Sequence, residues 1–348
     1  PKAITEALNT ASHLLALYPD PDATELRKSF AQMLNKTGGV LCNGHQFLSG
    51  ERQGDFHITP DMVFCGNGTD EVLSFIFYSF FGSEAPLVLP ECTYSFYPVY
   101  AGFYNIPLKR IPLKSNWSFD INAMMSEVKK DSCGMIFANP NAPTGIGLSC
   151  TDIEKMLQDY PSDKVMVVDE AYVDFGGETV LPLLSKYKNL VVVRTSSKSM
   201  SFAGMRLGFA IAHPDLIKAI KRVKDSFNHF PVDNIACIAG CAACRDPLYY
   251  CNTAESVVKT RGIFVEKISK AGWTVLPSQT NFVMATLVDT DGNVLISGSQ
   301  AYQKIKEAGI LVRLFSTLGI ENFLRITIGT DEQMEQLAAV MSEIALIK

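Results

Sequence analysis

The sequence predicts an α/β fold: a large domain built on a mostly parallel sheet covered by helices, joined to a smaller α+β domain. Three observations carry this. Short β-rich apolar runs recur from Val63 onward, with helical patterns between them. These runs are apolar throughout rather than alternating, as strands buried on both faces require. The chain has 348 residues, 47% of them hydrophobic, which is enough for more than one core.

Taken in order, residues 3–17 show a helical period, with Ile4, Leu8, Ser12 and Leu15 near one face, until YPDPD at 18–22 breaks it. A second helix is predicted from Ala23 to Leu34, carrying Leu26, Phe30, Met33 and Leu34. Residues 35–59 are rich in glycine and polar side chains and predict an irregular excursion. Strands are predicted at PLVLP (86–90), GMIFA (134–138), VMVVD (165–169), LVVVR (190–194) and GFAIA (208–212). Helices are predicted near 70–81, 120–130 and 150–160. The first of these, DEVLSFIFYSFF, is apolar nearly all round and predicts deep burial. The stretch 213–260 reads as helical. The remainder mixes helix with short strands, TNFVMAT and FLRITIG, and ends in an amphipathic helix near 331–346. The expected large domain is 18–245, with 1–17 and 246–348 in the small one.

Composition narrows the function. Lysine and arginine total 31 against 36 acidic residues, a net charge of −5. A mildly acidic chain has no bulk attraction for nucleic acid or anionic membrane, so any anion must be held locally. The nine cysteines are scattered through apolar stretches. Cys241 and Cys244 form a single C-x-x-C with no second pair at metal-ligand spacing, so all nine read as reduced and structural and no metal site is expected. No apolar run reaches transmembrane length and PKAITEALNT does not read as a signal peptide, so a cytoplasmic protein is expected.

Five segments carry chemistry. GNGTDE (66–71) leads into the apolar helix, and its glycines and free N–H groups suit an anion, although an ordinary turn reads the same way. Asp169 closes a predicted strand and would point into the crevice at the carboxyl edge of the sheet; a strand-end cap is the alternative. RTSSKSMSFAGMRLGF (194–209) follows another strand and supplies an amine, Lys198, with hydroxyls at Thr195 and Ser197 and a guanidinium at Arg206. ANPNAPTG (138–145) builds a rigid turn after a strand. ECTYSFY (91–97) offers Tyr94 as a ring to stack on a flat ligand, or simply as core. All but the glycine turn follow predicted strands and therefore converge on one edge of one sheet. Amine, acid, aromatic ring and anion cup together are what pyridoxal 5′-phosphate (PLP) requires.

In this order the motifs resemble the class I and II aminotransferases, PLP enzymes of fold type I. The likeness runs from YPDP at 18–21 to LRITIGT at 324–330, and within the family is greatest to the histidinol-phosphate aminotransferases. It implies Lys198 as the Schiff-base lysine, Asp169 as partner of the pyridine nitrogen, Tyr172 on the ring hydroxyl and Tyr94 stacked on the ring. It implies Gly68, Thr69, Asp70, Thr195, Ser197 and Arg206 as the phosphate cup, and Tyr18 as a residue reaching the cofactor of a neighbouring subunit, hence a homodimer with shared active sites. It implies Arg325, with Arg313 as a second arginine and Asn281 beside them, as the substrate site. The amino donor would be histidinol phosphate and the acceptor 2-oxoglutarate. Two departures stand out. The family's Asn before Pro-Thr-Gly is Ala142 here, with Asn141 expected to substitute, and the family's N-terminal Asn-Glu-Asn-Pro segment is absent. The competing readings are a PLP decarboxylase of a phosphorylated amino acid such as threonine phosphate, an aromatic aminotransferase, which the core-like phenylalanines at 75–81 do not favour, and an α/β ligand-binding protein without PLP chemistry. Against the last, no G-x-G-x-x-G or G-x-x-x-x-G-K-[ST] pattern follows a strand.

Overall fold

A computed structural model describes the chain except residues 10, 12, 13, 43–55, 83, 318, 347 and 348. Its main sheet has seven strands: β1 (Val63–Asn67), β2 (Leu87–Pro90), β3 (Leu108–Ile111), β4 (Gly134–Ala138), β5 (Val165–Asp169), β6 (Leu190–Thr195) and β7 (Leu207–Ala212), in the order β1-β7-β6-β5-β4-β2-β3. Strands β3, β2, β4, β5 and β6 are parallel neighbours, and β7 runs antiparallel to both β6 and β1. The carboxyl ends of β1, β2, β4, β5 and β6 therefore open on one edge, where β7 begins.

The unbroken apolar runs are explained by burial on both faces. Met135, Phe137, Met166, Val168 and Val192 enter one core, while Ile136, Val167, Val191 and Val193 enter the other. Each such side chain, fully buried, stabilises the fold by roughly 1.5–3 kcal/mol. The first core is closed by α2 (Thr24–Thr37), α5 (Ile121–Lys130), α6 (Cys150–Gln158) and α8 (Asn234–Cys244). The second is closed by α3 (Gly68–Phe80), α4 (Tyr97–Phe103) and α7 (Pro214–Phe227). In α3, Val72, Leu73, Ile76 and Phe77 are buried as its composition predicts, and Tyr78 alone faces solvent fully.

The predicted strands and helices of this region are present, and three elements appear beyond them. β1, VFCGN, is too short and glycine-broken to register as an apolar run. β3, LKRI, is an edge strand whose Lys109 and Arg110 face solvent, the usual way an open edge is protected. α4 starts on Tyr97-Pro98, with the proline where its missing N–H costs nothing.

The second sheet, β10-β11-β9-β8, is antiparallel, formed by β8 (Thr274–Val275), β9 (Phe282–Thr286), β10 (Arg313–Leu314) and β11 (Leu324–Thr327). It packs with α9 (Pro247–Lys270), α10 (Gly298–Glu307) and α11 (Asp331–Leu346) around Phe264, Val283, Ile305, Ile326 and Met341. α10 opens with a capping box between Ser297 and Gln300. α9 contributes to two cores: Tyr250 belongs to the first core of the large sheet, Phe264 and Ile268 to the core of the small one.

The amino-terminal helix differs from expectation. α1 (Lys2–Asn9) ends well before residue 17, Leu15 and Leu17 are exposed, and the Ser12 position lies outside the described residues. α1 packs on α8, beside the large sheet, rather than with the second domain. An apolar stripe specifies that a helix needs a partner but not which partner. α2 runs three residues further than expected, and Gly38 at φ 65 closes it. Of the irregular stretch 35–59, residues 43–55 lie outside the described part.

Candidate active site

Parallel strands deliver their terminal residues to a shared crevice. Here that crevice is a cavity of about 180 Å³, walled by the ends of β4, β5 and β6, the start of α3, and the loop between β6 and β7. GNGTDE spans the end of β1 and the start of α3, so it too lies at a strand end, which the sequence alone did not show.

Asp169, the last residue of β5, is buried and faces the cavity. Its Oδ2 accepts a hydrogen bond from the Tyr97 hydroxyl at 2.8 Å and its Oδ1 one from the Ala171 N–H at 3.0 Å. Burial pushes its pKa up to about 6, against the pull of those donors. Lys198, in the loop after β6, also lines the cavity, with Nζ 5.4 Å from the centre of the Tyr172 ring.

The anion cup is built at the start of α3. Gly68 has φ +81, and a Cβ there would stand 2.5 Å from Nη2 of Arg206. A Cβ on Gly208 would stand 2.4 Å from the Thr69 nitrogen, so both glycines are needed for the backbones to approach. The Thr69 hydroxyl is buried without a partner among the described residues. A phosphate oxygen would satisfy it, beside the free N–H groups at the helix start and the hydroxyls of Thr195 and Ser197, so these residues fit a phosphorylated cofactor. Arg206, itself at φ 53, reaches Oδ2 of Asp70 at 3.4 Å. Oδ1 of Asp70 accepts from the hydroxyls of both Tyr94 and Tyr100 at 3.0 Å, which ties a carboxylate down beside the anion cup.

A buried ionic network lies behind this wall. Arg194 donates from Nε to Glu170 Oε2 at 2.8 Å and from Nη2 to the Thr179 hydroxyl at 3.0 Å, and its Nη1 stands 3.5 Å from Asp174 Oδ1. Asp174 also accepts from the Ser199 hydroxyl at 2.6 Å and from the Leu41 N–H at 2.9 Å. Glu170, Arg194 and Ser199 are the chain neighbours of Asp169, Thr195 and Lys198. Alternation at β6 turns Arg194 and Thr195 to opposite sides, and at and just past the ends of β5 and β6 the neighbours Asp169/Glu170 and Lys198/Ser199 likewise divide between the cavity and the support beneath it. Burial raises the pKa of Glu170 while Arg194 opposes the shift.

The structure brings Lys198, Asp169, Tyr172, Tyr94, Thr69, Asp70, Thr195, Ser197 and Arg206 onto one wall, with Gly68 against Arg206. Asn141 is elsewhere. Its amide nitrogen donates to the Cys92 carbonyl at 3.0 Å and to the Thr144 hydroxyl at 2.9 Å, and Ala142 lines the cavity instead. Successive residues of the turn point different ways, so Asn141 is not on the wall; both its N–H donors are used within the protein, while its Oδ1 is buried without a partner among the described residues.

The three residues expected at the substrate site come from the second domain. Arg325 on β11 has its guanidinium carbon 5.1 Å from the ring centre of Phe282, and that ring meets Tyr172 edge-on at 5.1 Å. Two rings thus connect Arg325 to the Lys198 cavity. Arg313 on β10 is the direct cross-strand partner of Arg325. Asn281 precedes β9 and accepts the Ile328 N–H through its carbonyl at 2.9 Å; its side chain is not on the cavity wall. Tyr18 is 83% exposed and stacks on Phe230 at 4.9 Å, also off the wall.

Tyr97, Tyr100 and the Glu170–Arg194–Asp174 network escaped the sequence reading. The i, i+3 spacing of Tyr94, Tyr97 and Tyr100 is a signal that could have exposed the first two. Among the described residues no histidine, cysteine or acidic cluster is arranged to hold a metal, and no helix is long and apolar enough to cross a membrane. The nine cysteines are free thiols, and burial pushes that of Cys42 up to about 11 and that of Cys237 to about 12.

Comparison with known proteins agrees with this geometry. The family model for aminotransferases of class I and II matches residues 1–341. A histidinol-phosphate aminotransferase of Syntrophus aciditrophicus is 43% identical over 324 residues, covering 93% of this chain and 82% of that protein. The crystal structure of a histidinol-phosphate aminotransferase from Sinorhizobium meliloti in complex with pyridoxal-5′-phosphate superposes with a TM-score of 0.82 at 22% identity, over 99% of this chain and 88% of that one. The L-threonine-O-3-phosphate decarboxylase of Porphyromonas gingivalis shares the fold, with a TM-score of 0.77 at 22% identity over 100% and 96% of the two chains. A family match across almost the whole length, with a relative at 43% identity, makes this chain a member of the class I and II aminotransferases, enzymes whose cofactor is pyridoxal 5′-phosphate.

Proposed function

We propose that this aminotransferase takes histidinol phosphate as amino donor and 2-oxoglutarate as acceptor. The observation that carries the choice is the pairing of Arg313 with Arg325 on adjacent strands, two cations side by side, joined through Phe282 and Tyr172 to the lysine cavity. A phosphate dianion on the donor and a carboxylate on the acceptor would both be met there by a guanidinium fork. The 43% identical relative carries the name of the same activity.

In this reading the cup at Gly68, Thr69, Asp70, Thr195, Ser197 and Arg206 holds the cofactor phosphate, the first three partly through backbone N–H groups. Tyr94 covers one face of the ring and Tyr172 takes its hydroxyl. Asp169 holds a proton at the ring nitrogen. When bound, the cofactor supplies a conjugated cation that spreads negative charge developing at the substrate Cα. Lys198 would anchor the cofactor, and its Nζ, when free, would act as general base and acid, taking the proton from the substrate Cα and delivering one to the cofactor carbon C4′. Asn281, which precedes β9 and lies off the cavity wall, would meet the substrate only from the side of Arg325. Tyr18, exposed and off its own cavity, suits a role at the cofactor phosphate of a second copy in a homodimer, and we place the enzyme in the cytoplasm.

The test is an absorbance spectrum of the purified protein before and after histidinol phosphate or glutamate, with analysis of products. The expected result is a cofactor band that both amines convert, a keto or aldehyde product without carbon dioxide, and loss of band and turnover in Lys198→Ala. Release of carbon dioxide from a phosphorylated amino acid would replace the reading with a decarboxylase. A response to glutamate alone would discard histidinol phosphate.

A further inference from the structure

Asp169 has one side-chain hydrogen-bond partner among the described residues, and the sequence reading did not include it. Tyr97 is fully buried, is not on the cavity wall, and donates to Oδ2 at 2.8 Å from α4. Its ring is held by Phe77 at 6.5 Å and Tyr94 at 5.4 Å. Tyr94, three residues before the helix start, and Tyr100, one turn into it, are both committed to Asp70, so Tyr97 is the one of these three tyrosines left for Asp169. Oδ1 is occupied by the Ala171 N–H. A carboxylate gripped at each oxygen from within the protein has one orientation left to offer the cavity.

We infer that Tyr97 is a positioning residue for the amino-transfer reaction: its hydroxyl fixes the Asp169 carboxylate and favours the ionised form that a protonated ring nitrogen requires. This rests on the reading that Asp169 meets that nitrogen. The other groups around Asp169 do not substitute. Glu170 beside it and Asp70 at the start of α3 both disfavour its ionisation. Tyr94, Tyr172, Lys198 and Arg206 share the cavity without a hydrogen bond to it, and Tyr100 bonds Asp70. Removal of the Tyr97 hydroxyl leaves a buried carboxylate with a single backbone donor, which disfavours the charged form.

The experiment measures the dissociation constant of pyridoxamine 5′-phosphate from the full-length chain between pH 5 and 9, for the wild type, Tyr97→Phe and Asp169→Asn. This ligand forms no covalent bond to Lys198, so binding reports the ring and phosphate contacts alone. The expected result is that the acid limb of affinity moves up by about one pH unit in Tyr97→Phe. Affinity near pH 6 then falls several-fold more than affinity near pH 8, and Asp169→Asn lacks that component of the limb. A wild-type pH profile in Tyr97→Phe, or a uniform loss at every pH, with Asp169→Asn altered, would overturn the inference alone. A wild-type profile in Asp169→Asn would overturn the reading beneath it as well. If Tyr97→Phe does not fold, Tyr97→3-fluorotyrosine gives the converse measurement: a more acidic phenol is the stronger donor and must move the limb to lower pH.

Discussion

Arg313 and Arg325 face each other across β10 and β11, and the guanidinium carbon of each lies 5.8 Å from the centre of the same ring, Phe315. Directly opposed like charges weaken a sheet by roughly 0.2–1 kcal/mol, so the pair stands against a small cost in the unliganded protein. The Nε of Arg325 is also buried without a partner among the described residues. Both features point to an anion arriving between them.

Arg313→Gln is accordingly expected to leave the melting temperature unchanged or slightly raised. It should lower kcat/KM for the phosphorylated donor by about 10- to 100-fold, the worth of one charge-assisted hydrogen bond. The loss for glutamate, which offers singly charged carboxylates, should be smaller. Steady-state kinetics with the two donors decide this, and an equal loss for both would remove the dianion from the argument.

The buried Asp169 predicts a pH dependence of the cofactor-free protein. Its pKa rises from 3.8 to about 6 on folding because burial disfavours the charge. Below about pH 4 the group is protonated in both states and contributes nothing. Between pH 4 and 6 the unfolded chain ionises first, so the folded state binds more protons and stability falls as pH rises. Above pH 6 the penalty is complete, about 3 kcal/mol. Urea unfolding at pH 4 and pH 7 of wild type and Asp169→Asn checks it: the stability of the wild type relative to the variant should decline by that order. A constant difference would mean that the carboxylate ionises without penalty. Added PLP should recover stability above pH 6, where the charged carboxylate gains a cationic partner.

The Glu170–Arg194 pair predicts a large structural loss. Glu170→Ala removes acceptors for Arg194 Nε, the Thr179 hydroxyl and the Val180 N–H at once, and leaves a buried guanidinium without its nearest counter-charge. Breaking such a pair costs about 3–5 kcal/mol. Denaturant unfolding should show it, and joint replacement by Glu170→Leu and Arg194→Met should cost less than the single change. A loss under 1 kcal/mol in Glu170→Ala would show that water or a rearranged loop takes over those contacts.

Much of this enzyme was legible in its residues for definite physical reasons. A strand buried on both faces has to be apolar at every position, so β2, β4, β5, β6 and β7 announce themselves. Parallel strands bring their carboxyl ends together, so Asp169 and Lys198 could be assigned to one crevice without coordinates. An anion cup needs glycines, hydroxyls and a helix start, and each of the two segments that supply them, 66–71 and 194–209, shows its part as a short motif. The tertiary structure alone decided what depends on side-chain direction and on register between distant segments. Tyr97 meets Asp169 across 72 residues of sequence. Ala142 rather than Asn141 reaches the cavity, because adjacent residues of one turn diverge. Arg313 opposes Arg325 because β10 and β11 pair in one register, and a slip of one residue would separate them. α1 chose α8, since an amphipathic helix carries no address. Local pattern encodes which surfaces must be buried; only the packed chain determines which groups then touch.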